Sequence, residues 1–219
     1  VVSIMLYGVL GTGTVGEAIA TKLVSLGHEV KMGARDPKNE KAAVWVAKQG
    51  AKASQGTFAD AAGFGELLFN CTSGAGSLDA LKAAGEENLS GKVLVDISNP
   101  LDFSKGMPPT LFVSNTDSLG EQIQRAFPKT HVVKTLNTLS AHLMVDPKSL
   151  AGGDHDLFIS GNDADAKGKV KELLGTFGWK TIHDLGDITT ARGTESILPV
   201  WIRLWGALGD ANFNFKIAR

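Results

Sequence analysis

The sequence predicts an α/β fold: a doubly wound, mainly parallel sheet with a short C-terminal α/β extension. Three observations carry this. Short β-rich apolar runs alternate with helical ones through the first part of the chain, the pattern of a parallel sheet covered by helices on both faces. The first apolar run leads straight into a glycine-rich turn, Gly11-Thr12-Gly13-Thr14-Val15-Gly16, inside which a helix begins. The 219 residues suffice for one sizeable core and fall short of two full domains. We therefore expect one domain over residues 1–219, with residues from about 156 to 219 forming the extension.

The apolar run that starts at Val1 gives a first strand at Ser3–Leu10. A helix follows over Val15–Leu26, where Ala18, Ile19, Leu23 and Leu26 recur at helical spacing and Gly27 offers a C-terminal cap. The second strand is Glu29–Met32. After Asp36-Pro37 come a helix over Asn39–Gln49, a third strand at Ala51–Ser54 and a weak helix at Phe58–Ala62. A fourth strand at Glu66–Cys71, a helix at Ser77–Ala84 and a fifth strand at Lys92–Ile97 complete a nucleotide-binding half. Ser90-Gly91 and Asn99-Pro100 bound that fifth strand. Gly106, Pro108 and Pro109 mark Asp102–Thr116 as loop. Ser118–Ala126 reads as helix, Val132–Thr135 as a sixth strand and Asp146–Asp156 as loop. The extension then offers a strand at Leu157–Ser160, a helix at Ala164–Phe177, a strand at Lys180–His183 and one last helix from about Thr189 to Leu208.

In the glycine turn each glycine has a separate reason. Gly11 permits the tight turn, Gly13 lets the backbone approach a pyrophosphate, and Gly16 lets helix and strand pack closely. The free amides and positive dipole end of the helix face the phosphates. Such a triplet alone is a weak signal. The strand before it, the amphipathic helix after it and a second strand at the right distance make this a Rossmann-type dinucleotide site. An NAD site places an acid at the end of the second strand. This chain has Lys31-Met32-Gly33-Ala34-Arg35 there, so a 2'-phosphate would be attracted, with Lys38 a second positive charge. NADP(H) is the expected cofactor. The alternative for Arg35 is a solvated arginine paired with Asp36. The nicotinamide end belongs outside the fourth and fifth strands, at Cys71-Thr72-Ser73-Gly74 and Ser98-Asn99-Pro100. There Thr72, Ser73 and Asn99 are either ligand contacts or ordinary turn and cap residues, and Asp96 is either a ribose ligand or a hydrogen-bonded strand-end carboxylate.

Composition narrows the partners. With 22 basic residues against 23 acids the net charge is -1, which offers no long-range attraction for nucleic acid or an anionic membrane. Apolar residues make up 43% and charged residues 21%, as in ordinary globular proteins. The N-terminal run lacks the basic flank of a signal peptide, and Ile197–Gly209 is too short for a membrane span, so no membrane insertion is expected. The single cysteine, Cys71, allows no internal disulfide and makes the cytoplasm the default compartment. Five histidines show no metal-ligand spacing. The lone tyrosine, Tyr7, lies in a strand, so the Tyr-Lys pair of short-chain dehydrogenases is missing. Cys71 reads as a small apolar residue, His142 as a surface or capping residue, and the stripe Trp201, Leu204, Trp205, Leu208 as core or subunit interface.

The glycine loop, His28-Glu29-Val30 leading to Gly33-Ala34-Arg35, and Arg192-Gly193-Thr194-Glu195-Ser196 followed by Trp201 to Gly209 resemble the NADP-dependent oxidoreductases that use the deazaflavin coenzyme F420. The resemblance spans nearly the whole chain. Asp96-Ile97-Ser98-Asn99, Ser140-Ala141, and Ala191-Arg192 with Glu195 and Pro199 also resemble the cytoplasmic reductase domain of six-transmembrane metalloreductases. The resemblance implies direct hydride transfer between NADP(H) and coenzyme F420 or a flavin, with no catalytic acid, base or nucleophile and with alignment as the protein's main contribution. It puts phosphate contacts on Thr12, Gly13, Thr14 and Val15, and 2'-phosphate contacts on Ala34, Arg35 and Lys38. Ala34 departs from the hydroxyl residue expected at its position. It puts Asn137 and Thr138 beside the cofactor, the acceptor against Leu139, Ala141 and Leu208, and implies a homodimer. Two other readings stay open: a metalloreductase-like module, and a non-catalytic NADPH sensor that gates a protein partner.

Overall fold

The computed structural model describes residues 3–219; Val1 and Val2, where the first apolar run begins, lie outside the described residues. The chain builds β1 (Leu6–Leu10), α1 (Thr14–Ser25), β2 (Glu29–Ala34), α2 (Glu40–Gln49), β3 (Ala53–Thr57), α3 (Phe58–Phe64), β4 (Leu67–Asn70), α4 (Gly74–Ala84), α5 (Glu86–Leu89) and β5 (Val93–Asp96). The second part holds a small hairpin of β6 (Leu101–Asp102) and β7 (Thr110–Leu111), then α6 (Leu119–Ala126), β8 (His131–Thr135), α7 (Ala141–Val145), β9 (Leu157–Gly161), α8 (Ala164–Phe177), β10 (Ile182–Gly186), α9 (Ala191–Ser196) and α10 (Leu198–Leu208).

The main sheet has eight strands in the order β10-β9-β8-β5-β4-β1-β2-β3. Every neighbouring pair is parallel except β8 and β9, which run antiparallel. The expected doubly wound sheet is therefore present. Strands β4 and β5 are buried at every position, because helices cover both faces. One face packs Val9, Ile19, Leu23, Trp45, Phe69 and Val95 into a core with α1, α2 and α8. The other packs Leu10, Leu68, Leu81, Leu94, Leu119 and Ile123 with α3, α4 and α6. Local caps support these helices: Asn39 accepts the Ala42 amide at 3.0 Å, and Thr57 with Asp60 forms a reciprocal capping box, each worth about 1 kcal/mol.

Because β1 leads outward through β2 to β3 while β4 returns on its other side, the strand order reverses between β1 and β4. That opens a crevice beyond their carboxyl ends, where ligands bind in open α/β sheets. Four expectations are corrected. The stretch Asp102–Thr116 is not all loop, since Thr110–Leu111 pairs back onto Leu101–Asp102. The single helix expected over Thr189–Leu208 is a 3-10 turn at Ile188–Thr190 followed by α9 and α10, with Pro199 placed in the first turn of α10, where its missing amide costs nothing. The last strand runs over Ile182–Gly186, two residues later than expected. Ala141–Val145 forms a short helix, and 3-10 turns at Pro147–Ser149 and Ala151–Gly153 order much of the loop that follows. Among the described residues no helix is long and apolar enough to cross a membrane.

Candidate functional site

The glycine turn sits at the reversal point, and the structure separates the work of its glycines. Gly11 has φ 117°, and a Cβ there would lie 2.7 Å from the Cys71 carbonyl oxygen, so both conformation and the neighbouring strand end demand glycine. At Gly16 a Cβ would overlap the Gly11 carbonyl, which fixes how closely α1 approaches the turn. Gly13 is the N-cap of α1, and the place its Cβ would take is open, with no atom within 4 Å. No side chain caps this helix end, so its first-turn amides are left for an anion. A cleft of about 400 Å³ begins here and runs past Cys71–Ala75 to Ser98, Asn99 and Phe103.

At the far end of β2, Ala34 is buried and Arg35 and Lys38 are exposed. Asp36 turns its carboxylate onto the Lys38 backbone amide at 2.8 Å, closing the turn. Among the described residues no ion pair joins Arg35 to Asp36, so the guanidinium is left to an outside anion. Lys31 points elsewhere, with its ammonium 5.2 Å from the centre of the Phe64 ring.

Beyond β4, β5 and β8 lies a buried polar network. Asn70 donates to Asp96 at 3.0 Å and to Ser77 at 3.1 Å, and the Thr72 hydroxyl donates to Asn70 at 2.6 Å. The Ser98 hydroxyl donates to Asp96 Oδ1 at 2.6 Å. Lys134, fully buried, places its ammonium 2.9 Å from Asp96 Oδ2, 2.8 Å from Glu195 Oε1 and 2.5 Å from the Ser98 carbonyl. Burial alone would lower the Lys134 pKa, but Asp96 and Glu195 outweigh it and hold the lysine above its ordinary value, hence charged. Glu195 also accepts the Leu119 and Gly120 amides at 2.7 and 2.9 Å, so the start of α6 shares in neutralising it. Asp96 is therefore the internal strand-end carboxylate of the two readings left open by the sequence. Sequence reasoning missed Lys134; its one signal was a charge inside the apolar run Val132–Thr135.

Asn99 donates to the Asn137 carbonyl at 2.9 Å and accepts from the Asn137 amide group at 3.0 Å, which also reaches the Thr194 carbonyl at 3.1 Å. The loops after β5 and β8 are thus bound to each other and to α9. Between β8 and Asn137, Leu136 is held at φ 63°, a left-handed conformation that costs a leucine of order 1 kcal/mol or more and concentrates at functional sites. The Thr138 hydroxyl is buried with no protein partner. Ser73 heads α4 without a side-chain cap bond, leaving its hydroxyl on the cleft, while Thr72 is engaged in the turn and Pro100 is buried. The Cys71 thiol is pushed well above its usual range, first by burial and then by Asp96, which fits a packing residue.

The residues expected on the acceptor side differ sharply in exposure. Leu139 is only 5% exposed and belongs to the main core, so it offers no free surface. Ala141, half-exposed at the start of α7, borders a groove of about 690 Å³ shared with Thr14 and His142. His142, an exposed side chain, bridges Ser140 and Asn212, each at 3.2 Å, and so ties down the C-terminal arm without capping a helix end. Leu208 is 57% exposed near the end of α10. Trp201, half-buried, packs between Trp205 and Phe213 with ring centres 5.9 and 5.3 Å away, and a hollow of about 540 Å³ separates this helix from Met107 and Pro108 of the hairpin.

Residues 6–100, from β1 to the end of the β5 loop, match the family described as NADP oxidoreductase, coenzyme F420-dependent. A crystal structure from Arthrobacter sp. FB24, provisionally described as an F420-dependent NADP-reductase, superposes with a TM-score of 0.95 at 60% identity, covering 99% of this chain and 100% of that one. The chain belongs to the F420-dependent NADP oxidoreductase family. It is 27% identical over 203 residues to the F420-dependent NADP reductase of Methanocaldococcus jannaschii, covering 89% of each. It is also 30% identical over 200 residues to the rat metalloreductase STEAP3, but there it spans only 37% of that protein's length.

Family membership makes the chain an NADP-dependent oxidoreductase. The site fits the cofactor on its own terms: uncapped amides and a vacant Cβ position at Gly13, an exposed guanidinium at Arg35, and an orphaned hydroxyl at Thr138.

Proposed function

We propose that this enzyme moves hydride between NADP(H) and a deazaflavin of the coenzyme F420 type or a flavin, with the cofactor lying along the cleft from Arg35 to Asn99. One observation carries the reading. The residues lining that cleft include glycines, Thr14, Val15, Thr72, Ser73, Ile97, Ser98, Asn99, Leu101 and Phe103, and none is an acid, a histidine or a lysine. The buried Asp96 carboxylate and Lys134 ammonium, next to the cleft residues Ile97 and Ser98, are paired with each other. A nucleotide cleft whose lining holds no acid, histidine or lysine suits a reaction between two redox rings, in which geometry and exclusion of water dominate.

When bound, NADPH supplies the hydride. The chain's own part is to hold and orient. The α1 amides with Thr12 to Val15 take the pyrophosphate, Arg35 and Lys38 the 2'-phosphate, and Ser73, Asn99, Asn137 and Thr138 the nicotinamide end. Residues 156–219 supply the acceptor wall through α10, with Leu208 and Ala141 facing the ring, and their exposed Trp205 and Leu208 supply an interface between two copies of the chain.

Stopped-flow oxidation of NADPH with a panel of deazaflavin, FMN, FAD and ferric acceptors tests the reading. Rapid turnover with deazaflavin or flavin is expected. Turnover with ferric ion alone would favour a metalloreductase-like module, and tight NADPH binding with no turnover would favour a sensor; either outcome overturns the proposal.

A further inference from the structure

Gly74, the first residue of α4, is not explained by backbone conformation. Its φ lies outside the left-handed region, so an alanine could adopt the same backbone. What excludes a side chain is a neighbour. A Cβ built on Gly74 would overlap the Asn99 carbonyl oxygen, lie 2.6 Å from its carbon and come within 3.2 Å of Leu119. The loop after β4 and the loop after β5 therefore touch backbone to backbone at Gly74 and Asn99.

Asn99 cannot yield easily. Its side chain is bridged to Asn137 by two hydrogen bonds of 2.9 and 3.0 Å. The peptide just before it is clamped at the Ser98 carbonyl by the buried Lys134 ammonium. On its far side Asn137 is tied to the Thr194 carbonyl. A push on Asn99 from Gly74 would travel into the Asn137–Thr138 segment, where the orphaned Thr138 hydroxyl and the left-handed Leu136 lie.

We propose that Gly74 is a positioning residue for hydride transfer: its missing side chain sets the spacing of the β4 and β5 loops and so the placement of the Asn99–Asn137 bridge at the nicotinamide end of the cleft. The inference rests on the reading that the nicotinamide lies there. A displacement of about 1 Å at such a point costs on the order of a hundredfold in rate while leaving remote binding intact.

The test compares Gly74→Ala with Gly76→Ala. Gly76 lies two residues further along the same helix, and a Cβ there meets only the Ser73 hydroxyl at 3.4 Å. Each variant is assayed for 2',5'-ADP affinity, for fluorescence of bound NADPH, and for kcat and KM separately. Gly74→Ala should bind 2',5'-ADP as wild type, change the fluorescence of bound NADPH, and lose roughly 10- to 100-fold in kcat with KM moved by less than about threefold. Gly76→Ala should match wild type throughout. Equal kcat in the two variants would overturn the inference, as would a loss of 2',5'-ADP affinity parallel to that of kcat. If Gly74→Ala does not fold, Asn137→Ala cuts the same bridge without touching Gly74, and undiminished kcat in that variant is equally fatal. Failure of the underlying reading shows separately, in the wild type itself, as absence of NADPH oxidation with every acceptor.

Discussion

At the scale of single residues, the proposed preference for NADPH rests on Arg35. At the end of β2 the backbone delivers Arg35 to solvent with no ion pair to Asp36, whose Oδ1 accepts the turn amide of Lys38. An arginine in that position gains from a 2'-phosphate a charge-assisted contact that NADH cannot offer. Arg35→Ala should weaken NADPH by about 1.5–3 kcal/mol and leave NADH nearly unchanged, measured by titrating both nucleotides. Equal losses would make Arg35 structural. The buried Leu139 matters at the same scale. An aspartate there would place an unpaired charge in the main core, so Leu139→Asp reports on folding, and Leu208 in α10 is the place to probe acceptor docking.

At the scale of elements, the motif Arg192-Gly193-Thr194-Glu195 is the joint between the extension and the nucleotide-binding half. Glu195 in α9 receives two amides of α6 and the Lys134 ammonium of β8, while Arg192 grips Glu121 of α6 at 2.6 and 2.9 Å. Removing Glu195 leaves Lys134 paired with Asp96 but strips the buried Leu119 and Gly120 amides of their acceptor, a cost of about 1–3 kcal/mol for each unsatisfied group. Glu195→Ala should lower unfolding free energy by about that much in urea denaturation; a change below about 1 kcal/mol would show that the two amides do not depend on Glu195. The sequence displayed the motif but not its task. Local rules located Gly11, Gly13 and Gly16, and Arg35 one residue past β2, because turn conformation and strand order act over a few residues. Lys134 and its carboxylates come from β5, β8 and α9 and meet only when the sheet closes, so no spacing announces them. The burial of Leu139 has the same origin, since tertiary packing chose among locally allowed options, whereas the break of the last helix just before Pro199 is a local effect of the proline.

Across the whole molecule, the arm after α10 returns to the segment from Ser140 to Asp156, which lies between β8 and β9. Phe215 accepts the Asp156 amide at 3.0 Å, Ser140 donates to the Ala211 carbonyl at 3.0 Å, and Lys216 pairs with Asp154. The central anchor is Asp156, buried at the entrance to β9, whose Oδ2 accepts the Ile217 amide at 2.8 Å and faces His183 Nε2 at 2.9 Å. Burial on its own would raise this carboxyl, but the Ile217 amide and His183 together hold it below the usual carboxylate range. A carboxylate whose folded pKa is depressed gives its full stabilisation above the unfolded value of 3.8 and loses it as pH falls through the folded value. The arm should therefore stay docked through neutral and mildly acidic pH and detach only below about pH 4. Hydrogen-exchange protection of the Ile217 amide, with the buried Val95 amide of β5 as internal reference, reads this out. In the wild type, protection at Ile217 should fall below about pH 4 before Val95 changes, and in Asp156→Asn it should already be weak at neutral pH. If Ile217 and Val95 lose protection together in both proteins, the arm is not released independently and Asp156 is not its anchor.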